Sequence, residues 1–206
     1  KKLFIGRAKR IRPATDDKIL TAWTALMAKG FIDGYKAFGE EDFLNSARRN
    51  LDFLITNVCT NEHSLFRNYK NGKASIFGFL DDYAFLINAL TEFYQVSFEE
   101  AYLQKALNLA QYAQAHFFDE ETGMFLYTDD QHSELIARKM EVTDNVIPSS
   151  NSEMAKNLFL LSQYFENKSF EEKSIQLIKN IFADMKKNLN YYSNWAQALL
   201  FHVFPP

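Results

Sequence analysis

Polar and apolar positions repeat along this chain as a unit of two helices that occurs three times. An acidic or polar triplet opens an apolar helix at Asp16-Asp17-Lys18, at Asp81-Asp82-Tyr83 and at Asn151-Ser152-Glu153. A more polar helix with an acidic start follows about twenty residues after each triplet, and the unit returns after about sixty to seventy residues. Such recurrence indicates stacked helical pairs that bury their faces against neighbouring pairs. We therefore predict an all-α array of helical hairpins whose polar loops gather at one end.

The spacing of apolar residues gives the bounds of the predicted elements. Steps of three and four residues predict helices over 17–38, 41–54, 81–96, 98–116, 151–166, 169–187 and 191–203. Residues 58–78 are predicted to be irregular, with a tight turn at Asn71-Gly72. The longest non-helical stretch, 117–150, could hold a short β-hairpin formed by residues 123–128 and 135–138. No low-complexity tract or flexible linker divides the chain, so residues 1–206 are predicted to form a single domain.

Composition and charge exclude several classes of protein. A net charge of −3 argues against a broad nucleic-acid interface, and no apolar run approaches the length of a membrane span. The basic residues within 1–12 are interpreted as a solvated connecting segment. A single cysteine, Cys59, excludes an intramolecular disulfide and indicates a reducing compartment, which we take to be the cytoplasm. No metal or other cofactor is predicted, because no metal-ligand spacing relates Cys59 to the histidines His63, His116, His132 and His202.

The paired acids at the predicted helix starts allow two interpretations. An aspartate at a helix start accepts hydrogen bonds from free N–H groups and favours the positive end of the helix dipole, which would explain Asp16 and Asp81 without any function. One cap is enough, however, and adjacent carboxylates repel each other. Asp17 and Asp82 could therefore point into a cavity, where carboxylates of sugar-processing enzymes often act as general acid or base.

A second candidate region is the polar loop of residues 138–152, which leads directly into the third apolar helix. Its serines and Asn151 would be adequate helix caps, so a purely structural role is one interpretation. A loop of this length is nevertheless uncommon in a compact helical domain unless it has a function. Arg138, Glu141 and Asp144 could form an internal ion-pair network or contact a ligand that is rich in hydroxyl groups.

Three motifs carry a resemblance to a known family. They are the segments 12–23 (RPATDDKILTAW), 79–84 (FLDDYA) and 144–152 (DNVIPSSNS). In this order they resemble the widespread family represented by spermatogenesis-associated protein 20 and the bacterial protein YyaL. The chain departs from the family pattern at Thr24, where we expect Asn, at Ile147, where a small residue is usual, and at Ser150, where Gly is usual.

The resemblance implies an architecture larger than this chain. Members of the family resemble a thioredoxin-like domain fused to an (α/α)6 toroid of the N-acylglucosamine 2-epimerase and six-hairpin glycosidase kind. About three and a half of the six hairpins are predicted here, so we expect the chain to be a fragment, with a thioredoxin-like domain upstream and further hairpins elsewhere. The apolar edges of the end helices would then be exposed and could self-associate.

The resemblance also implies a function in carbohydrate processing or carbohydrate binding, with a small-molecule sugar as ligand. Asp17 and Asp82 would carry acid–base chemistry, and Trp23 and Tyr83 would offer stacking faces. Sugar hydroxyl groups would be positioned by four residues of the polar loop, namely Arg138, Glu141, Asn145 and Asn151. Epimerization is less favoured than hydrolysis or binding, because no histidine lies at a matching inner-helix position. The alternative is a non-enzymatic scaffold or interaction module attached to the redox domain.

Overall fold

The computed structural model describes residues 1–12, 14–131 and 138–205 of the chain. Five short strands accompany the helices in this part: β1 (Ile19–Leu20), β2 (Phe66–Lys70), β3 (Lys73–Phe77), β4 (Phe118–Asp119) and β5 (Met124–Phe125). The α-helices are α1 (Lys2–Ala8), α2 (Thr21–Phe38), α3 (Glu41–Asn57), α4 (Leu80–Ser97), α5 (Glu100–Phe117), α6 (Ser150–Phe165), α7 (Lys168–Lys187) and α8 (Ser193–Val203). The short α1 is exposed along its whole length, as expected for a solvated basic segment.

The helices form two layers, in which α2, α4, α6 and α8 are inner helices and α3, α5 and α7 are outer helices. Each inner helix packs against the next inner helix, and each outer helix packs mainly against the inner helix that precedes it. The burial pattern reflects the layers, because α4 and α6 are buried on nearly all sides for most of their length, whereas α3 and α7 bury one apolar face. The predicted array of helical hairpins is confirmed.

Local signals at the helix ends explain most of the predicted bounds. Gly39 adopts a left-handed conformation with φ of 70° and ends α2, while Ser149 and Asn167 accept hydrogen bonds from the first turns of α6 and α7. A continuous hydrophobic core joins the two layers, and Trp195 lies fully buried in it. The end helices keep exposed apolar side chains, including Met27 of α2 and Leu200 of α8, and self-association through them stays a prediction.

The prediction for residues 58–78 was wrong, because they contain two strands. Strands β1, β2 and β3 form an antiparallel sheet in which Asn71 and Gly72 connect β2 to β3. Both residues have positive φ, 52° and 77°, as the tight two-residue turns of hairpins require. The turn was therefore predicted correctly, whereas the strands beside it were missed.

The start of the first inner helix also needs correction. Residues 17–20 were predicted to be helical, but α2 begins at Thr21, because Ile19 and Leu20 pair with Tyr69 and Asn68 of β2.

A two-stranded pairing exists near the predicted β-hairpin, but with a different partner. The structure pairs Met124–Phe125 with Phe118–Asp119. The proposed partner strand, 135–138, lies outside the described residues except for Arg138.

Candidate functional site

Asp82 connects the starts of two inner helices. Its Oδ1 accepts a hydrogen bond from the backbone N–H of Ala22 in α2 at 3.0 Å, and its Oδ2 accepts one from the N–H of Phe79, which precedes α4, at 3.0 Å. The carboxylate thus caps its own helix and also α2, where no local side chain supplies a cap. Asp82 is fully buried, so the structure gives it a structural role at the predicted site.

Arg67 of β2 faces both members of the acidic pair. Its guanidinium donates to Asp81 Oδ1 and to Asp82 Oδ2, each at 3.0 Å, and stacks over the ring of Phe79. Burial, and then the neighbouring carboxylate of Asp81, raise the pKa of Asp82 to about 7 against the lowering effect of Arg67 and of the two backbone donors. Arg67 therefore bridges the two carboxylates at the start of α4.

Asp17 lies apart from this group, on the segment that precedes β1. Its side chain is exposed and pairs with Lys70 at the end of β2. The hydrogen bond from Lys70 lowers the pKa of Asp17. The expectation that Asp17 begins an inner helix is therefore corrected, because α2 begins four residues later and takes its cap from Asp82 instead.

The two aromatic residues predicted to stack on a sugar occupy contrasting places. Tyr83 belongs to the core, where its ring stacks on Tyr112 and its hydroxyl accepts from the N–H of Leu65 at 2.9 Å. Its faces are therefore covered by protein. Trp23 is 55% exposed and lies in a shallow depression beside Met27, on the outer edge of α2.

Three of the predicted polar-loop residues hold the backbone in place. Arg138 donates to the carbonyl oxygens of Thr128 and His116, and Glu141 accepts from the N–H of Ser150 at the start of α6. Asn151 is fully buried and makes three hydrogen bonds, two with the backbone of Phe125 and one with the carbonyl of Glu141. These contacts anchor the loop and β5 to α6.

The fourth, Asn145, lies at the rim of a cavity of about 350 Å³ on the inner face of the array. Side chains from α2, α4, α6 and α8 meet there, together with the loop 144–148. Its apolar walls include Leu26, Phe85, Ile147 and Pro148, and its polar lining includes Lys29, Asn88, Asn145, Glu153, Lys156, Asn194 and Gln197. Mixed apolar and polar walls of this kind are typical of small-molecule sites.

A buried polar network forms one side of this cavity. Lys156 Nζ contacts Glu153 Oε2 at 3.3 Å and donates to Asn194 Oδ1 at 2.9 Å, and the amide of Asn194 donates to Glu153 Oε2 at 2.9 Å. Asp144 accepts from the backbone N–H of Asn194 and from the hydroxyl of Ser152. The network fixes the loop, α6 and α8 relative to one another.

Asn88, in the middle of α4, also lines the cavity. Its side chain is 2% exposed, and its amide nitrogen has no hydrogen-bond partner among the residues that the structure describes. Buried amides are nearly always hydrogen-bonded, so an unpaired one that lines a cavity indicates a place for a polar ligand atom. This residue was missed at the sequence level.

The sequence carries a visible signal for the missed residues. Asn88 interrupts an apolar run of α4, and Glu153 and Lys156 are charged residues on the inner helix α6. A polar residue that stays buried needs a partner. Within residues 1–12, 14–131 and 138–205, no cluster of three or more His, Cys, Asp or Glu side chains could hold a metal ion. No helix found there is long and apolar enough to cross a membrane.

Comparisons with known proteins agree with this architecture. No protein-family model matches the chain. Human spermatogenesis-associated protein 20 is 29% identical over 196 residues, which cover 90% of this chain and 25% of that protein. The chain therefore spans about a quarter of the length of the curated relatives it matches.

Solved structures of similar fold include a cellobiose 2-epimerase and an α-1,6-mannanase. Cellobiose 2-epimerase from Bacillus thermoamylovorans is 20% identical with a TM-score of 0.67, and the match covers 82% of this chain and 45% of that chain. An inactive α-1,6-mannanase variant of Salegentibacter, in complex with α-1,6-mannotriose, is 10% identical with a TM-score of 0.64, covering 79% and 47%. The α/α-toroid fold and the predicted similarity to spermatogenesis-associated protein 20 are thereby confirmed.

Proposed function

We propose that this chain is part of a carbohydrate-binding α/α toroid and that the sugar occupies the inner-face cavity. The observation that carries the proposal is the unpaired amide of Asn88 in that cavity. A sugar hydroxyl group both donates and accepts hydrogen bonds, so it can satisfy an amide that the protein leaves unsatisfied. Support also comes from the fold, since the mannanase neighbour was solved with an oligosaccharide bound.

The lining of the cavity suits such a ligand. The amides of Asn145 and Gln197 lie at the same cavity as the buried Glu153–Lys156 pair, beside the apolar wall around Phe85. Sugars present hydroxyl edges and apolar C–H faces, and a site with a few polar groups on an apolar wall matches both. The volume of about 350 Å³ lies within the usual range for small-molecule pockets.

Acid–base chemistry by Asp17 and Asp82 is not part of this proposal. Asp82 is fully buried, and its two oxygens already accept hydrogen bonds from two backbone N–H groups and from Arg67. Asp17 is exposed and paired with Lys70, away from the inner cavity. The proposal therefore concerns binding.

A panel of neutral mono- and oligosaccharides, added to the complete polypeptide in a thermal-shift assay, tests the proposal. A ligand that binds only the folded state raises the melting temperature. We expect at least one sugar to stabilise the wild type and the matched control Asn45→Ala, which alters an exposed asparagine of the outer helix α3. The same sugar should fail to stabilise Asn88→Ala. If it stabilises Asn88→Ala equally, the cavity is not its site.

The scaffold alternative also has an observation in its favour. Asp82, Tyr83 and Asn151, which were predicted to contact a sugar, make their contacts within the protein instead. If no sugar stabilises the wild type, while Asp82→Ala and Asn151→Ala lower stability, these residues serve to hold the helices together and the scaffold function is favoured.

A further inference from the structure

We infer that the ligand of the inner-face cavity carries a carboxylate, so that the sugar is an acidic one such as a uronate. This inference rests on the proposed carbohydrate function and adds the chemical class of the ligand. Its basis is a difference between the carboxylates and the donor groups that line the cavity, namely whether each already has a hydrogen-bond partner within the protein. The carboxylates of Asp144 and Glu153 already receive hydrogen bonds from the protein, whereas Asn88 and Lys156 keep N–H groups without a partner among the described residues.

The carboxylates at the cavity are already supplied with donors. Asp144 Oδ1 accepts from the N–H of Ser149 at 2.9 Å and from the hydroxyl of Ser152 at 2.8 Å, and its Oδ2 accepts from the N–H of Asn194 at 2.8 Å. Glu153 Oε2 is contacted by Lys156 and by the amide of Asn194. A donor on the ligand would therefore meet both oxygens of Asp144, and Oε2 of Glu153, already in use.

The donors at the cavity are not exhausted. The amide nitrogen of Asn88 has two N–H groups and no partner among the described residues. Lys156 is 8% exposed, and its ammonium carries three N–H groups but contacts two acceptors, Glu153 and Asn194. Asn88 and Lys156 project from the neighbouring inner helices α4 and α6 and line the same cavity. Together they offer an amide and a cationic donor to one ligand group.

A carboxylate is the group that uses this pair best. Hydrogen bonds between an ammonium and a carboxylate are about twice as strong as neutral ones. The four charged side chains that line the cavity, Lys29, Lys156, Asp144 and Glu153, sum to zero. A bound carboxylate would accept a hydrogen bond from the N–H group that Lys156 leaves unused. The half-buried Lys29, which pairs with Asp33, lies at the same cavity.

The test compares matched sugars on the wild-type complete polypeptide. Isothermal titration would measure the affinity of galacturonate against galactose, glucuronate against glucose and mannuronate against mannose. We expect at least one uronate to bind about tenfold more tightly than its neutral parent, with a preference that falls as salt concentration rises. Equal affinity for every pair would overturn the inference and leave the proposed function standing. Absence of binding by all six sugars would overturn the inference, and the proposed function would fall with it only if the wider thermal-shift panel also gave no stabilisation.

The isosteric change Asn88→Asp provides a second, independent test. It replaces the free amide donors by a carboxylate of the same shape, which repels a uronate, so uronate binding should weaken by about tenfold or more. The hydroxyl groups of a neutral sugar can still donate to the new carboxylate. The matched control Asn45→Asp adds the same charge on the exposed surface of α3 and should leave the uronate preference unchanged. If Asn88→Asp binds the uronate as tightly as the wild type does, the inference is wrong.

Discussion

Replacing Asp82 by alanine should destabilise two inner helices at once. The change removes the acceptor of the Ala22 N–H at the start of α2 and the acceptor of the Phe79 N–H before α4. Losing one such cap costs about 0.5–2 kcal/mol. Because the two caps belong to different helices, their losses add to about 1–4 kcal/mol. The guanidinium of Arg67 keeps its contact with Asp81 in this variant, so its charge stays paired.

Urea unfolding followed by far-ultraviolet circular dichroism would measure this loss near pH 7.5. The matched control is Asp42→Ala, an exposed aspartate in the first turn of α3, which should change the free energy of unfolding by less than about 1 kcal/mol. A loss below about 1 kcal/mol for Asp82→Ala would refute the shared-cap reasoning. It would mean that water or neighbouring groups replace the lost acceptors.

Three further predictions concern pH and the remaining site residues. Because burial raises the pKa of Asp82 to about 7, the folded chain holds a proton there that the unfolded chain releases from about pH 4 upward. The stability that this proton contributes is complete at low pH and is lost as the pH rises towards 7. The wild type should therefore lose stability relative to Asp82→Asn between about pH 4 and pH 7. A constant difference in unfolding free energy between the two proteins would contradict the raised pKa of Asp82. Asn151→Ala should cost about 2–4 kcal/mol in urea unfolding, because the buried backbone of Phe125 loses both partners; a change under about 1 kcal/mol would argue against this anchor. Tyr83→Phe should lower the free energy of unfolding by about 1–3 kcal/mol, because the buried N–H of Leu65 loses its acceptor. Trp23→Ala, at an exposed position, should change it by less than about 1 kcal/mol. A larger loss for Trp23→Ala than for Tyr83→Phe would contradict the placement of both side chains.

The hairpin array could be predicted because its signal is local. Steps of three and four apolar residues determine which segments become amphipathic helices, and the observed α4, α5, α6 and α7 begin and end within a few residues of the predicted bounds. The sheet of β1, β2 and β3 could not be predicted in the same way. Its strands are short, and Ile19–Leu20 become extended only because β2 lies beside them in the folded chain.

The acidic pairs illustrate why the site was harder to predict than the fold. The sequence indicated a cap at Asp16, yet the cap of α2 comes from Asp82, which accepts a hydrogen bond from the N–H of Ala22, sixty residues away. The polar loop was recognised as important, but Glu141 and Asn151 turn inwards to hold the backbone. Asn88 stands out as polar in an apolar helix, although its unpaired state is visible only once its neighbours are in place.

The side-chain amide of Asn88 offers the most direct test of the claim that the inner-face cavity binds a sugar. Its ¹⁵N–¹H₂ resonances can be assigned from their absence in Asn88→Ala and followed while the sugars of the panel are added. We predict that a binding sugar shifts these resonances saturably, while those of the exposed control Asn45 stay in place. Resonances of Asn88 that remain unmoved at saturating concentrations of every sugar would contradict the account.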